Sequence, residues 1–188
     1  MFQTAHNAPI PSNVPASPRQ MGRPVATVRP PVLVMIMKKA ALHIGPPVWG
    51  LFFLLLAAIA HLLYPWRTLF DLSSTPLGVL CLVVGAAVAG WSLRLFVRHG
   101  TTVVPDDPVN KALVESGPYR WSRNPMYLSL ILIALGVAFL VGTAPFFLAP
   151  IALFLVLNFL FIPFEEEKML RQFGETYARY RRRVRRWL

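Results

Sequence analysis

The sequence predicts an all-α fold: an integral membrane bundle of four transmembrane helices with a C-terminal amphipathic cytoplasmic helix. Three observations carry this. Four apolar runs approach spanning length, only 14% of the 188 residues are charged while 55% are hydrophobic, and nearly all the basic residues flank one side of those runs. A soluble domain is about 45–50% apolar and about 25% charged, so a conventional soluble protein and any disordered or collagen-like class are excluded. The net charge of +11 would suit a nucleic-acid surface only if the cations formed a water-facing patch. Here they border apolar runs, which points to a lipid surface and to no nucleic-acid partner.

Residues 1–31 hold seven of the 18 prolines and no acidic residue. Such a segment buries too little apolar surface to offset its ordering entropy and reads as a disordered Pro-rich tail, ahead of a single membrane-embedded domain over 32–188. The run Val32–Met37 is too short to cross a bilayer, and Lys38 and Lys39 follow it, so a short interfacial helix is expected there. A fifth, short N-terminal span made from this segment ranks lower, because it would carry the tail across the membrane.

A spanning helix needs about 20 apolar residues to cross a hydrocarbon core about 30 Å thick. The first run is about 46–64, opened by Pro46-Pro47, whose missing N–H groups suit a helix start. The second is about 76–97, the third about 126–141 and the fourth about 145–164. The third is short, which implies tilt or local thinning. Only Gly142-Thr143-Ala144-Pro145 separates the third from the fourth, so these two form a tight hairpin. With four spans, eighteen of the 19 lysines and arginines fall on one side, counting Arg94 as snorkelling, and Arg67 stands alone on the other. By the positive-inside rule both termini are cytoplasmic. The single cysteine, Cys81, excludes a disulfide framework, and the four histidines lie far apart in sequence, so no metal constellation is expected.

Polar chemistry gathers at two places. The first is Gly117-Pro118-Tyr119-Arg120-Trp121-Ser122-Arg123-Asn124-Pro125-Met126-Tyr127, leading into the third span. Pro125 fits a first helical turn, with Asn124 or Ser122 near the cap. A helix start with free N–H groups beside an arginine is a ready site for a carboxylate or phosphate. The alternative is that Arg120 and Arg123 anchor to headgroups while Tyr119, Trp121 and Tyr127 form an interfacial belt. The second place is Glu165-Glu166-Glu167-Lys168, expected at the C-terminal end of the fourth span. There three adjacent carboxylates meet the wrong end of the helix dipole, a cost that a bound cation would relieve. Asn158 precedes Glu165 by seven residues, almost two turns, so the two share a face; its alternative role is an interhelical hydrogen bond. Because the third and fourth spans form a hairpin, the basic start of one and the acidic foot of the other converge on one cytoplasm-facing pocket. Beyond it, Phe173, Tyr177, Tyr180, Val184 and Trp187 recur at helical spacing among arginines, predicting an interfacial helix over 175–188 that favours anionic lipid.

These residues resemble the integral-membrane methyltransferases that include isoprenylcysteine carboxyl methyltransferases and phospholipid N-methyltransferases, in their bacterial branch. The family's Arg-His/Asn-Pro-x-Tyr signature reads here Arg123-Asn124-Pro125-Met126-Tyr127. Its Glu-Glu pair is Glu165-Glu166, and Phe173-Gly174 with Tyr177, Tyr180 and Val184 match the tail that follows the pair. His99-Gly100-Thr101-Thr102 and Pro105 match the lead-in. The resemblance covers about residues 98–188; the first two spans match only in hydropathy. It implies S-adenosylmethionine as methyl donor and a lipid-like or hydrophobic acceptor that enters sideways from the bilayer, in a bacterial inner membrane. Asn124 stands where the isoprenylcysteine branch commonly has histidine, which favours a phospholipid or small amphiphile at least as much as a prenylated protein.

The candidate cofactor-binding residues are Tyr119, Arg123, Asn124, Pro125, Tyr127, Asn158, Glu165 and Glu166, with no metal. The candidate catalytic residues are Arg120, Arg123 and Glu165. An arginine would orient a carboxyl acceptor, and a glutamate with a burial-raised pKa would deprotonate an amine. Two other classes compete. Membrane sterol and steroid reductases share the Arg-His/Asn-Pro-x-Tyr stretch and use a reduced nicotinamide cofactor, but usually lack the Glu-Glu pair at this register. A non-catalytic lipid-binding subunit would need no cavity between the third and fourth helices. The sequence carries no signal for oligomeric state.

Overall fold

A computed structural model describes residues 44–63, 71–98 and 112–188. Helix α1 is Pro46–Leu63, α2 Thr75–Arg98, α3 Pro125–Val141, α4 Ala144–Val156 and α5 Ile162–Arg183, with a 3₁₀ turn at Gly117–Arg120 before α3. A π-helical turn, Leu157–Phe161, joins α4 to α5 without a break. The described residues contain no strand. The tail over 1–31, the Val32–Met37 run and the His99–Thr102 and Pro105 lead-in lie outside them.

Among the described residues, three segments are long and apolar enough to cross a membrane: α1, α2 and the Ala144–Arg183 rod, which kinks at Gly174; α3, at 17 residues, is shorter. The rod has 40 residues, about 60 Å if straight at 1.5 Å per residue. That is twice a hydrocarbon core, so only its apolar half, up to Phe164, fits within one. Large side chains on α1 and α2, such as Leu55, Leu62, Leu80, Val83 and Val97, are exposed, as acyl chains rather than water would require.

In the bundle α3 packs along α2 on one side and α4 on the other, and α1 lies against α4. The α2–α3 contact is backbone-close. A Cβ added at Gly136 would sit 2.9 Å from the Gly78 carbonyl oxygen and 2.8 Å from the Leu82 side chain. Small residues at such a crossing allow the main chains to approach, the usual solution where lipid cannot drive helices together. The core lies between α3 and the rod: Leu153, Leu157, Phe161 and Ile162 are sealed against Ala134 and Tyr127.

The expected hairpin is present. Gly142 closes α3 in the left-handed region (φ 80°), its N–H bonded to the Ala138 carbonyl at 2.7 Å, a conformation glycine adopts without Cβ cost. Pro145 opens α4 within its first turn. At this end Thr143 Oγ1 pairs with His61 Nδ1 at 3.2 Å, so the histidine inside the first span serves an interhelical bond. The starts of α1 and α3, the end of α2 and the start of α5 meet at the opposite end.

Two expectations about the rod are corrected. The glutamate run does not end a helix: it lies in the opening turns of α5, which runs on about two turns to the kink at Gly174, so no helix C-terminus adjoins its charge. And the helix expected over 175–188 stops five residues early. Gly174 is non-helical (φ 49°, ψ −125°), and Val184 is extended. Beyond Val184 the chain is held from another element: the carbonyls of Arg185 and Arg186 accept hydrogen bonds from the Ser122–Asn124 segment. Nor does the aromatic stripe face lipid along its length, because Tyr177, Tyr180 and Val184 are buried against Leu113, Met169 and Phe173.

Candidate functional site

The end opposite the hairpin encloses a cavity of about 520 Å³, bounded by the start of α1, the end of α2, the 112–114 segment, Tyr119, the start of α3 and α5. That is within the 300–1,000 Å³ typical of small-molecule sites. Pro46, Pro47, Ala89, Phe96, Leu113 and Met169 make much of it apolar, and Arg123, Tyr127, Glu165 and Glu166 give it one polar region.

Of the residues proposed from sequence, Tyr119, Arg123, Asn124, Pro125, Tyr127, Glu165 and Glu166 line the cavity. Arg120 does not: it closes the 3₁₀ turn with its side chain exposed, while Tyr119 beside it is buried. Tyr119 and Tyr127 are buried, so neither belongs to an interfacial belt, whereas Trp121 is 64% exposed and fits one. Asn158 is also outside the cavity lining. The π turn holds it, and a wider turn shifts everything downstream by about one residue, roughly 100° of rotation. The seven-residue spacing to Glu165 therefore no longer means a shared face. Asn158 instead accepts from Trp187 Nε1 at 3.1 Å and Arg186 Nη1 at 3.4 Å.

The three glutamates point in three directions, as successive helical residues must. Glu165 faces the cavity and accepts a hydrogen bond from the Tyr127 hydroxyl. Glu166 is buried between two arginines: Arg123 Nη2 lies 2.7 Å from Oε1 and Arg186 Nη2 2.8 Å from Oε2. Glu167 is exposed and pairs with Arg171 one turn on at 2.6 Å. The repulsion expected of this run is thus relieved at Glu166 and Glu167 by arginines. At Glu165 burial pushes the carboxyl up to about 7, against the Tyr127 hydroxyl and the Lys168 ammonium, which both pull it down. Burial likewise holds Tyr119 and Tyr180 above the usual phenol range and pushes Tyr177 up to about 12. All three remain donors, and the Tyr180 hydroxyl donates to the Tyr119 carbonyl at 2.8 Å.

The arginine of the helix start is less free than its sequence position suggests. Arg123 gives Nη2 to Glu166 and Nη1 to the Arg181 carbonyl at 2.9 Å, and its buried Nε has no partner. No side chain caps α3; the Asn124 amide donates to the Arg186 carbonyl at 3.0 Å instead. The first-turn N–H groups at the cavity wall, Met126 and Tyr127, therefore lack a side-chain acceptor.

Sequence reasoning missed Arg186, Trp187 and Ser122. Six arginines crowd the last ten residues, and no local signal separates Arg186 from its neighbours. Its role depends on a chain reversal that only the folded C-terminus shows.

An uncharacterized protein of Haemophilus influenzae is 43% identical over 63 residues, which are 34% of this chain and all of that protein. No solved structure matches the chain. The phospholipid methyltransferase family model matches residues 74–176, from the start of α2 to just past the α5 kink and so through the α3 start and the glutamate pair. With these elements matched over more than half of its length, the chain belongs to the phospholipid methyltransferase family.

Proposed function

We propose that the protein is a membrane-embedded, S-adenosylmethionine-dependent methyltransferase acting on a lipid-like acceptor, with the cavity end facing the cytoplasm. The observation that carries this is one cavity joining an uncapped helix start and the Glu165 carboxylate, which has no arginine partner, to apolar walls. The donor carries a carboxylate, an ammonium and a sulfonium, and the residues present fit it. The N–H groups of Met126 and Tyr127, with Arg123, match its anionic group. Glu165 matches a cationic one, and the apolar walls take the acceptor's hydrocarbon. The donor supplies an electrophilic methyl group; the protein supplies alignment and the exclusion of water, and alignment alone is worth roughly 7–11 kcal/mol.

Glu165 is the residue placed to move a proton. A carboxyl titrating near 7 accepts a proton from an amine acceptor more readily than an ordinary surface glutamate, and Tyr127 fixes the carboxylate while it does so. Glu166, neutralised by two arginines, is a holding residue. Nothing in the site favours nicotinamide over S-adenosylmethionine, and the cavity itself weighs against a purely scaffolding role.

Equilibrium binding of labelled S-adenosylmethionine to purified protein in nanodiscs tests the donor. Incubation with methyl-labelled donor and membranes, followed by mass spectrometry of the lipids, tests the acceptor. Binding by the wild type and labelled lipid are expected; no binding by the wild type, or displacement by a reduced nicotinamide cofactor, would overturn the reading.

A further inference from the structure

Residues 185–187 form a clasp beside the cavity. The Arg186 guanidinium grips both oxygens of Glu166, Nε to Oε1 at 3.2 Å and Nη2 to Oε2 at 2.8 Å, and reaches Asn158. Its carbonyl accepts from Ser122 Oγ at 3.3 Å and Asn124 Nδ2 at 3.0 Å. One residue earlier, the Arg185 carbonyl takes the Arg123 N–H at 3.0 Å. One residue later, Trp187 donates to Asn158 and lies against the Phe154 ring, 5.0 Å between centroids. Three consecutive residues thus tie the π turn, α5 and the approach to α3 together. Arg123, Asn124 and Glu166 line the cavity while Arg186 and Trp187 do not.

We propose that Arg186 is a positioning residue for the donor site. It holds the Glu166 carboxylate in its pairing with two arginines, leaving Glu165 as the cavity carboxylate with no arginine partner, and it holds the Ser122–Asn124 segment so that α3 presents its uncapped N–H groups to the cavity. Without Arg186, Glu166 retains Arg123 as its single cationic partner, and a half-paired buried carboxylate is costly to hold in place. Lysine keeps the charge but not the fork that engages two oxygens at once. This inference rests on reading the cavity as the donor site.

Full-length protein in nanodiscs is compared as wild type, Arg186→Ala, Arg186→Lys and Arg185→Ala. Arg185 has an exposed side chain, and its carbonyl survives the substitution, so it controls for loss of one surface cation. Two readouts are taken: S-adenosylmethionine affinity, and amide hydrogen exchange over residues 119–128. Arg186→Ala is expected to weaken donor binding about tenfold and to speed exchange at Arg123 and Asn124, with exchange in the middle of α2 and α3 unchanged. Arg186→Lys recovers part of both losses, and Arg185→Ala stays within about twofold of wild type. If Arg186→Ala unfolds the protein, Arg186→Lys alone decides, because it keeps the charge and loses the fork. Matching results for the Arg185 and Arg186 variants in both readouts would overturn the proposal and make Arg186 one more headgroup anchor. If the wild type does not bind the donor, the donor-site reading fails by itself; unchanged exchange in Arg186→Ala then overturns the clasp too, and faster exchange upholds it.

Discussion

The Tyr127 hydroxyl donates to Glu165 Oε1, joining the first turn of α3 to the first turn of α5 across 38 residues of sequence. The bond fixes a carboxylate that burial otherwise discourages from ionising, at the wall of the cavity.

A pH dependence follows with a definite sign. The Glu165 carboxyl is raised from 4.5 to about 7, so the folded state holds this proton more tightly than the unfolded chain. Its contribution to stability is fully present below about 4.5 and is lost as pH rises through about 7. Thermal stability in nanodiscs should therefore decline between pH 5 and 8, and Glu165→Gln should flatten that decline. Methyl transfer to an amine should show the opposite trend, rising through pH 7 as the base ionises. Tyr127→Phe removes a hydrogen bond that favours the carboxylate, so its activity inflection should move to higher pH.

The Arg123–Glu166 pair should behave as a buried ion pair, since each side chain is 10% exposed. Removing one member of such a pair typically costs about 3–5 kcal/mol, because the other charge stays buried. Glu166→Ala leaves two arginines facing each other and should destabilise more than Glu167→Ala, whose exposed pair with Arg171 is worth at most about 1 kcal/mol. Denaturation midpoints of the two variants in the same lipid check this ordering.

The glycines of α2 and α3 give a test in which helix propensity and packing have opposite signs. Alanine is favoured over glycine in a helix by about 1 kcal/mol. At Gly90 a Cβ meets nothing within 4 Å, so Gly90→Ala should stabilise or be neutral. At Gly136 it meets the Gly78 carbonyl oxygen at 2.9 Å, a backbone atom that moves only with its helix, so Gly136→Ala should destabilise by about 1–3 kcal/mol. Equal effects at the two sites would contradict the close α2–α3 approach.

Much of this fold is written in the sequence because hydropathy and turn chemistry are local. The apolar runs mark α1, α2, α3 and the start of α4 within a residue or two, while the fourth run's expected end at 164 falls inside α5, and Gly142 with Pro145 marks the hairpin. That hairpin explains why Arg123 and Glu165, 42 positions apart, border one cavity. The rest is not local. The π turn rotates Asn158 away from the face its spacing implied, and the three adjacent glutamates take different partners only because Arg123, Arg186 and Arg171 arrive from different elements. A basic stretch that reads as a lipid-facing helix instead leaves the helix at Val184, and its last carbonyls accept from Ser122, Arg123 and Asn124 across the bundle. Such choices depend on contacts between distant segments, and periodicity carries no trace of them.

The most direct test of the central claim is the equilibrium affinity of full-length protein for labelled S-adenosylmethionine in nanodiscs, measured for wild type, Glu165→Ala and Arg120→Ala. Glu165 lines the cavity and Arg120 stands outside it on an exposed turn. The account predicts a loss of about tenfold or more for Glu165→Ala and little change for Arg120→Ala. Affinity that falls with Arg120→Ala while Glu165→Ala binds like wild type would contradict it.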